Sequence, residues 1–321
     1  MKGKYRVSVQ NKKIKYDFEI RRNITIIRGD SATGKTTLID MIREYDENGE
    51  DSGIELVCEK TCSVLEGRNW KERLSLMENS ILFIDEGNAF VASKDFAKEI
   101  HNSTNYYVIV TRESLPALPY SVNEIYGIKN SGKYGHLKQT YNEMYNIYNM
   151  DSLKSDLKPE VVITEDSNSG YQFFENVCKE HNLECHSAYG KSNIFHMLEE
   201  QKQKEILVIA DGAAFGPEME KVMRLVQIKK NIALYLPESF EWIILKTDII
   251  KDSELKDILR EPWIFIDSEK HASWERFFTT ILTERTENTY LRYNKKNLNP
   301  VYLHDNIKNK ILNIVDQIQF S

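Results

Sequence analysis

The chain has 321 residues, is 41% hydrophobic and carries a formal net charge of -6. This length and apolar content exclude a disordered chain and favour two domains over one. The acidic balance argues against a surface devoted to nucleic acid, although a local basic groove remains open. The N-terminus lacks the apolar run of a secretory signal, and no stretch has the roughly 18 apolar residues of a membrane helix. Because the four cysteines are also sparse, we expect a cytoplasmic protein that does not contact a membrane.

Residues 5–20 alternate apolar and polar side chains with the period of two that half-buried strands show, which predicts a hairpin turning at 11–13. An apolar strand, a glycine-bounded loop and a helix should follow. Further strands and helices alternate up to a closing hairpin, which implies a mainly parallel sheet and a first α/β domain at residues 1–145. The predicted elements after the first hairpin are strands at 24–27, 54–58, 81–84, 106–110, 124–128 and 136–141 and helices at 37–45, 70–77 and 93–100.

The loop at residues 29–36 has the spacing G-x-x-x-x-G-K-[ST] between a predicted strand and a predicted helix. Glycines let the backbone wrap around a phosphate, so that successive N–H groups and the positive end of the helix meet the anion. Lys35 should reach the β and γ phosphates, and Thr36 should ligate Mg²⁺. The loop therefore predicts a site for ATP with Mg²⁺, formed by Gly29, Asp30, Ser31, Ala32, Thr33, Gly34, Lys35, Thr36 and Thr37.

Residues 81–86 are four apolar residues followed by two acids, Asp85 and Glu86. We expect their strand to adjoin the strand that enters the loop, which would bring Asp85 to the magnesium ion. Glu86 would position or deprotonate the attacking water, so that Glu86 and Lys35 are the predicted catalytic residues. The presence of Glu86 favours hydrolysis over binding alone and disfavours a small-molecule kinase.

The hairpin, the loop and the 81–86 run together resemble the opening of ABC-type and related P-loop ATPases, with the loop as Walker A and residues 81–86 as Walker B. The resemblance implies that a residue at the end of the next strand senses the γ phosphate. Thr111 occupies that place, and Arg112 is the alternative. The stretch between the two motifs has no LSGGQ-like signature and is too short for the helical subdomain of an ABC head. Hydrolysis in a composite dimer is therefore not implied, although ATP-dependent homodimer formation stays open.

A polar, tyrosine-rich connector at residues 141–159 precedes a second predicted α/β domain at 160–321. Its strands are predicted at 161–164, near 185, at 206–210 and at 232–236, and its helices at 170–181, 193–203 and 217–228. From about residue 240 the pattern is mostly helical.

Acids follow two of these predicted strands: Glu165 follows the first and Asp211 the third. This order of strands, acids and helices resembles the Toprim fold of topoisomerases, primases and overcoming-lysogenisation-defect nucleases. In that fold a glutamate and an Asp-x-Asp pair hold a divalent metal for phosphodiester chemistry. The resemblance implies a catalytic and metal-binding role for Glu165 and Asp211, with Mg²⁺ or Mn²⁺.

The second half departs from the Toprim pattern at one position, because Ala213 stands where the second aspartate of the pair belongs. Glu218, Glu220 and Glu238 are candidates to replace it. Losing a metal carboxylate can abolish catalysis while leaving the fold intact. Three alternatives stay open: an active metal nuclease, a degenerate Toprim-like binding domain, and an unrelated α/β unit.

The C-terminal region interleaves cations and aromatic residues, a pattern that fits contact with single-stranded nucleic acid but is also common on a solvated helical face. The residues are Lys295, Lys296, Lys308, Lys310, Tyr290, Tyr293 and Tyr302. The whole sequence predicts an Mg²⁺-dependent ATPase that controls a Toprim-like domain acting on nucleic acid. The alternative is an ATP-gated regulator or assembly factor that recognises a partner protein and performs no phosphodiester chemistry.

Overall fold

The structure, a computed structural model, describes residues 1–30, 33–131, 139–149, 158–201 and 204–315. It divides into two compact units, Met1–Tyr148 with Glu261–Ala272 and Asn149–Arg260 with Ser273–Ser321. Both units contain β-sheet and helices, which confirms the predicted α/β class. The segment Glu261–Ala272 was predicted in the second domain and instead packs with the first unit. It does so through the N-terminus, where the Met1 amino group bonds Ser268 Oγ at 2.8 Å and Gly3 N–H donates to Trp263 O at 2.8 Å.

The first unit is built on a nine-stranded mixed sheet. Its strands are β1 (Tyr5–Gln10), β2 (Ile14–Ile20), β3 (Ile24–Ile27), β4 (Glu55–Val57), β5 (Cys62–Val64), β6 (Ile81–Ile84), β7 (Tyr106–Val110), β8 (Ile125–Asn130) and β9 (Thr140–Asn146). Its helices include α1 (Lys35–Asn48), α2 (Trp70–Leu74) and α3 (Lys94–His101), and α9 (Pro262–Phe265) from the later segment. The three-residue strand β5 was not predicted, because so short a run carries no periodicity.

The strand order is β4-β1-β2-β9-β8-β3-β7-β6-β5, and the five strands from β8 to β5 are mutually parallel. Strand β7 lies between β3, which enters the loop, and β6, which carries Asp85. The prediction that these two strands adjoin was therefore wrong. The carboxyl ends of β3, β7 and β6 nevertheless share one edge of the sheet, so that Thr111 and Arg112 follow the strand between the two predicted motifs.

The strands of the first hairpin face the parallel strands across a common core. Phe18 on β2 meets Phe83 on β6 with ring centroids 6.4 Å apart, and Tyr5 meets Tyr106 at 5.9 Å. Leu38 and Ile42 of α1 are fully buried in the same core. Each such side chain contributes about 1.5–3 kcal/mol on burial, so the apolar face of α1 fixes the helix that follows the loop.

The second unit is built on four parallel strands, β10 (Val161–Thr164), β11 (Glu184–Ser187), β12 (Ile206–Ile209) and β13 (Ile232–Tyr235). Their order in the sheet is β11-β10-β12-β13. The chain passes from β10 to β11 on one side and later to β12 on the other. A topological switch point therefore lies between β10 and β12, which is where ligands bind in open α/β sheets.

Helices pack around this sheet and make up most of the C-terminal region. They are α4 (Ser169–Glu180), α5 (Lys191–Glu200), α6 (Met219–Ile228), α7 (Phe240–Lys246), α8 (Ser253–Arg260), α10 (Trp274–Thr286) and α11 (Asp305–Ile314). Phe173 and Phe174 of α4 pack against Phe240 of α7 with centroids 5.3 and 5.9 Å away. This aromatic contact fixes the ends of α4 and α7 near the carboxyl edge of the sheet.

Candidate functional site

The glycine-bounded loop in the first unit leaves β3 and ends where α1 begins at Lys35. Gly29 and Gly34 have φ values of 136° and 91°, a backbone conformation that residues with a side chain rarely adopt. A Cβ atom on Gly34 would also lie 2.7 Å from Tyr16 Oη. Both glycines are thus required by the path of the loop, as the spacing predicted. The predicted contacts at Ser31 and Ala32 lie outside the described residues.

Lys35 lies at the mouth of this loop with its ammonium group surrounded by oxygen atoms. Lys35 Nζ donates to Gly29 O at 2.7 Å, to Asp30 O at 2.5 Å and to Thr33 Oγ1 at 3.0 Å. Burial lowers the pKa of Lys35, and the nearby Arg112 adds to this effect. All three acceptors are neutral, and a charged oxygen forms a stronger hydrogen bond with an ammonium group than a neutral one does. A phosphate entering the loop would therefore compete well for Lys35.

The first turn of α1 places Thr36 and Thr37 differently. Thr36 is exposed, whereas Thr37 is half-buried and its side chain lies near Tyr16, whose pKa it lowers against the raising effect of burial. Only Thr36 thus offers its hydroxyl towards solvent at this end of the helix, which suits the predicted role as an Mg²⁺ ligand.

Asp85 and Glu86 follow β6 at the same edge of the sheet. Asp85 Oδ1 accepts a hydrogen bond of 2.8 Å from Glu86 N–H, and burial together with the nearby Asp40 raises the pKa of Asp85. Glu86 is exposed, and its Oε1 lies 2.9 Å from Nε of Arg112. Arg112, one strand away, therefore holds the carboxylate predicted to activate water.

The Thr111 hydroxyl is used within its own turn. Thr111 Oγ1 donates to Glu113 O at 3.2 Å and accepts from Glu113 N–H at 3.0 Å, and the residue is only 6% exposed. Contact with a γ phosphate would require at least one of these bonds to break. Of the two residues considered for this role, Arg112 has the more accessible side chain.

In the second unit, Glu165 and Asp211 lie beside each other at the switch point. The backbone N–H of Asp211 donates to Glu165 Oε2 at 3.0 Å, and both residues line a cavity of about 30 Å³. Burial raises the pKa of Glu165 to about 7, while the Asp211 N–H opposes this shift. Burial and the carboxylates of Glu275, Glu165 and Glu241 raise the pKa of Asp211 well above its ordinary value. The predicted pair is therefore brought together.

Two of the three further acids that the sequence suggested, Glu218 and Glu220, form ion pairs instead. Ala213 is 2% exposed, the buried Glu218 lies 2.5 Å from Nζ of Lys221, and Glu220 pairs with Arg224 along α6. Glu241 of α7 lines the cavity instead. The rule that acids collect at the carboxyl ends of parallel strands pointed to Glu238 after β13, and Glu241 is the next acid along the chain.

Glu241 belongs to a buried polar network. It is 1% exposed; its Oε1 accepts a 2.7 Å bond from Tyr293 Oη, while Oε2 has no hydrogen-bond partner among the residues that the structure describes. Lys295 Nζ bonds Glu275 Oε1 at 2.5 Å and lies 3.6 Å from Glu241 Oε1. Burial by itself would lower the pKa of Lys295. The negative charges of Glu241, Glu275 and Asp211 outweigh burial and raise this pKa. Glu275 and Lys295 come from distant sequence, so no local pattern could reveal this cluster.

The carboxylates at this cavity are chemically suited to a divalent cation, but their side chains are not arranged around a common point. Carboxylate oxygens are the ligands that Mg²⁺ and Mn²⁺ prefer, and the unpartnered Oε2 of Glu241 belongs to a residue that lines the cavity. Within the described ranges, however, no three His, Cys, Asp or Glu side chains are already grouped closely enough to hold a metal ion. Lys295 supplies positive charge among the acids.

The predicted cation-aromatic surface of the C-terminal region is not formed. Tyr293 and Tyr302 are buried at 2% and 0% exposure, and Lys308 pairs with Glu180 at 2.6 Å. Tyr290 alone of the three tyrosines is exposed. Tyr293, Tyr302 and Lys308 serve the core and its ion pairs, whereas Tyr290 and Lys296 are exposed in the turns that follow α10.

Replacing Lys295 with methionine should destabilise the second unit. The change removes the ammonium group but keeps a long side chain, so it leaves buried carboxylates without their cation. We expect a loss of about 1.5–3 kcal/mol, the usual contribution of a hydrogen bond to a charged group. Calorimetric unfolding measures this loss, with the exposed Lys296→Met as the matched control. Equal melting temperatures for both variants would contradict the importance of this ion pair.

No family model matches the chain, and no curated protein matches it. Throughout the described part of the chain, the helices are too short or too polar to cross a membrane.

Proposed function

We propose that the first unit is a P-loop ATPase that binds ATP with Mg²⁺ and hydrolyses it. The observation that carries the proposal is the position of Lys35 Nζ, held by three oxygens at the mouth of a glycine-bounded loop between a parallel strand and a helix. The acids Asp85 and Glu86 follow a strand whose carboxyl end lies at the same edge. An anion and a hydrated cation would both find partners there.

Each residue at this edge of the sheet would have the role that its side-chain chemistry allows. Lys35 and the loop N–H groups would bind the β and γ phosphates, while Thr36 and Asp85 would hold Mg²⁺. The bound ion would neutralise negative charge on the phosphates. Glu86 would accept a proton from the attacking water, for which its carboxylate must turn from Arg112 towards the nucleotide. Arg112 would then exchange its ion pair with Glu86 for contact with phosphate charge.

Replacing Glu86 with glutamine should separate hydrolysis from binding. The amide cannot accept a proton from water, so we expect the turnover rate to fall by about 10²–10⁴-fold while ATP affinity changes little. Steady-state phosphate release and equilibrium titration with ATP measure the two quantities. Glu72→Gln, an exposed glutamate on α2, is the matched control and should behave as wild type. Unchanged turnover in Glu86→Gln would exclude Glu86 as the base.

A second candidate function concerns the other unit, which we propose is Toprim-like. The specific observation in its favour is the contact of Glu165 with Asp211 across a switch point. With Glu241, these acids would hold Mg²⁺ or Mn²⁺ for cleavage of a phosphodiester in DNA or RNA. The competing function is an ATP-gated regulator whose second unit recognises a partner protein without cutting. Cleavage assays distinguish the two.

A further inference from the structure

Tyr16 connects the first hairpin to the loop that the proposed function assigns to nucleotide binding. It lies on β2 and is 2% exposed, and its hydroxyl donates a 2.8 Å hydrogen bond to the carbonyl oxygen of Gly34. The same carbonyl accepts a bond of 3.0 Å from Leu38 N–H, the first intrahelical bond of α1. The last residue of the loop is therefore held both by the helix and by a side chain from a distant strand.

Two further polar side chains lie close to the Tyr16 hydroxyl. Burial raises the pKa of Tyr16, and the polar side chains of Asn142 on β9 and Thr37 on α1 oppose this rise. The direction of the bond to Gly34 follows from its acceptor: a carbonyl oxygen cannot donate, so the phenol proton points at Gly34 O.

The bond to Gly34 O determines where the next amide points. In a trans peptide the C=O and the following N–H lie in one plane and point in opposite directions. A donor that holds Gly34 O on one side therefore directs the Lys35 N–H to the other side. That N–H belongs to the first turn of α1, where backbone donors have no acceptor within the helix and are available to an anion.

We propose that Tyr16 is a positioning residue of the nucleotide site, which orients the Gly34–Lys35 peptide for phosphate binding. The inference rests on the proposed ATP binding, but it concerns a residue outside the glycine-bounded loop. Substitution of Gly34 would disturb the same contact, because a Cβ there would lie 2.7 Å from Tyr16 Oη. The glycine and the tyrosine thus form one matched pair.

The test compares Tyr16→Phe with Tyr107→Phe. Tyr107 is also fully buried on a strand, and its hydroxyl bonds Ser103 Oγ at 2.7 Å, but it pairs with Ile24 at the amino end of β3, away from the loop. Both variants lose one buried hydroxyl and should unfold at similar temperatures. We expect the dissociation constant for ATP with Mg²⁺ and the KM to rise about tenfold in Tyr16→Phe only, with a smaller change in kcat.

Unchanged ATP affinity in Tyr16→Phe, or an equal loss in Tyr107→Phe, would overturn the positioning role. If Tyr16→Phe does not fold, Asn142→Ala decides. Asn142 Nδ2 and Tyr16 Oη both lie within 4 Å of the place that a Cβ on Gly34 would take, so the loss of Asn142 should loosen the same contact and weaken ATP binding in the same direction. Unaltered affinity in Asn142→Ala would then overturn the inference. Wild type that fails to bind ATP, or Lys35→Ala that binds it normally, would instead reject the proposed ATPase.

Discussion

Lys35→Ala is expected to abolish measurable ATP hydrolysis and to weaken ATP binding by about a hundredfold or more. The substitution removes the ammonium group that three neutral oxygens now hold at the mouth of the loop. No other described lysine lies in this loop. The effect should be largest on hydrolysis, because negative charge on the transferring phosphate needs a cation close by.

The control for Lys35→Ala is Lys71→Ala in the same unit. Lys71 is exposed on α2 and pairs with Asp95 at 2.6 Å, a surface ion pair that solvent screens and whose loss should affect stability little. Phosphate release and titration with ATP should therefore match wild type in this variant. Hydrolysis that persists in Lys35→Ala would show either that the loop does not bind the nucleotide or that a contaminating ATPase is present. Titration of the same sample separates these two cases.

Local sequence pattern was sufficient to predict most strands and the loop of the first unit. Alternation in residues 5–20 specified the hairpin, and Tyr106–Val110 was predicted with the bounds that the structure shows. The glycine spacing predicted a strand, a loop and a helix in that order, because Gly29 and Gly34 need conformations that other residues avoid. These features depend on neighbours in sequence and on backbone sterics.

Features that depend on distant residues could not be predicted in this way. The insertion of β7 between β3 and β6 is a property of the sheet as a whole. The pairing of Lys295 with Glu275 and Glu241 joins residues separated along the chain, and charge alone does not reveal burial. For the same reason Lys295 looked like part of an exposed surface. Glu241, which lines the cavity, lies three residues beyond Glu238, the acid after the last strand that the sequence suggested.

The second large effect is expected at the switch point of the second unit. Wild-type protein should cleave plasmid, linear DNA or tRNA with Mn²⁺ or Mg²⁺, and cleavage should fall about a hundredfold or more in Glu165→Gln and Asp211→Asn. Both changes keep the size of the side chain and remove a carboxylate that the proposed metal needs. Gel assays with and without ATP measure the cleavage and its control by nucleotide.

Glu220→Gln supplies the matched control, because Glu220 was a candidate ligand by sequence but pairs with Arg224 on α6. It should cleave as wild type does. Glu241→Gln should resemble Asp211→Asn if Glu241 takes the place of the aspartate missing at Ala213. A wild-type protein that cuts no substrate with either metal, yet hydrolyses ATP in a Lys35-dependent manner, would reject the nuclease. The buried carboxylates and Lys295 would then be read as the polar core of a partner-binding unit, since their charges already compensate one another in part.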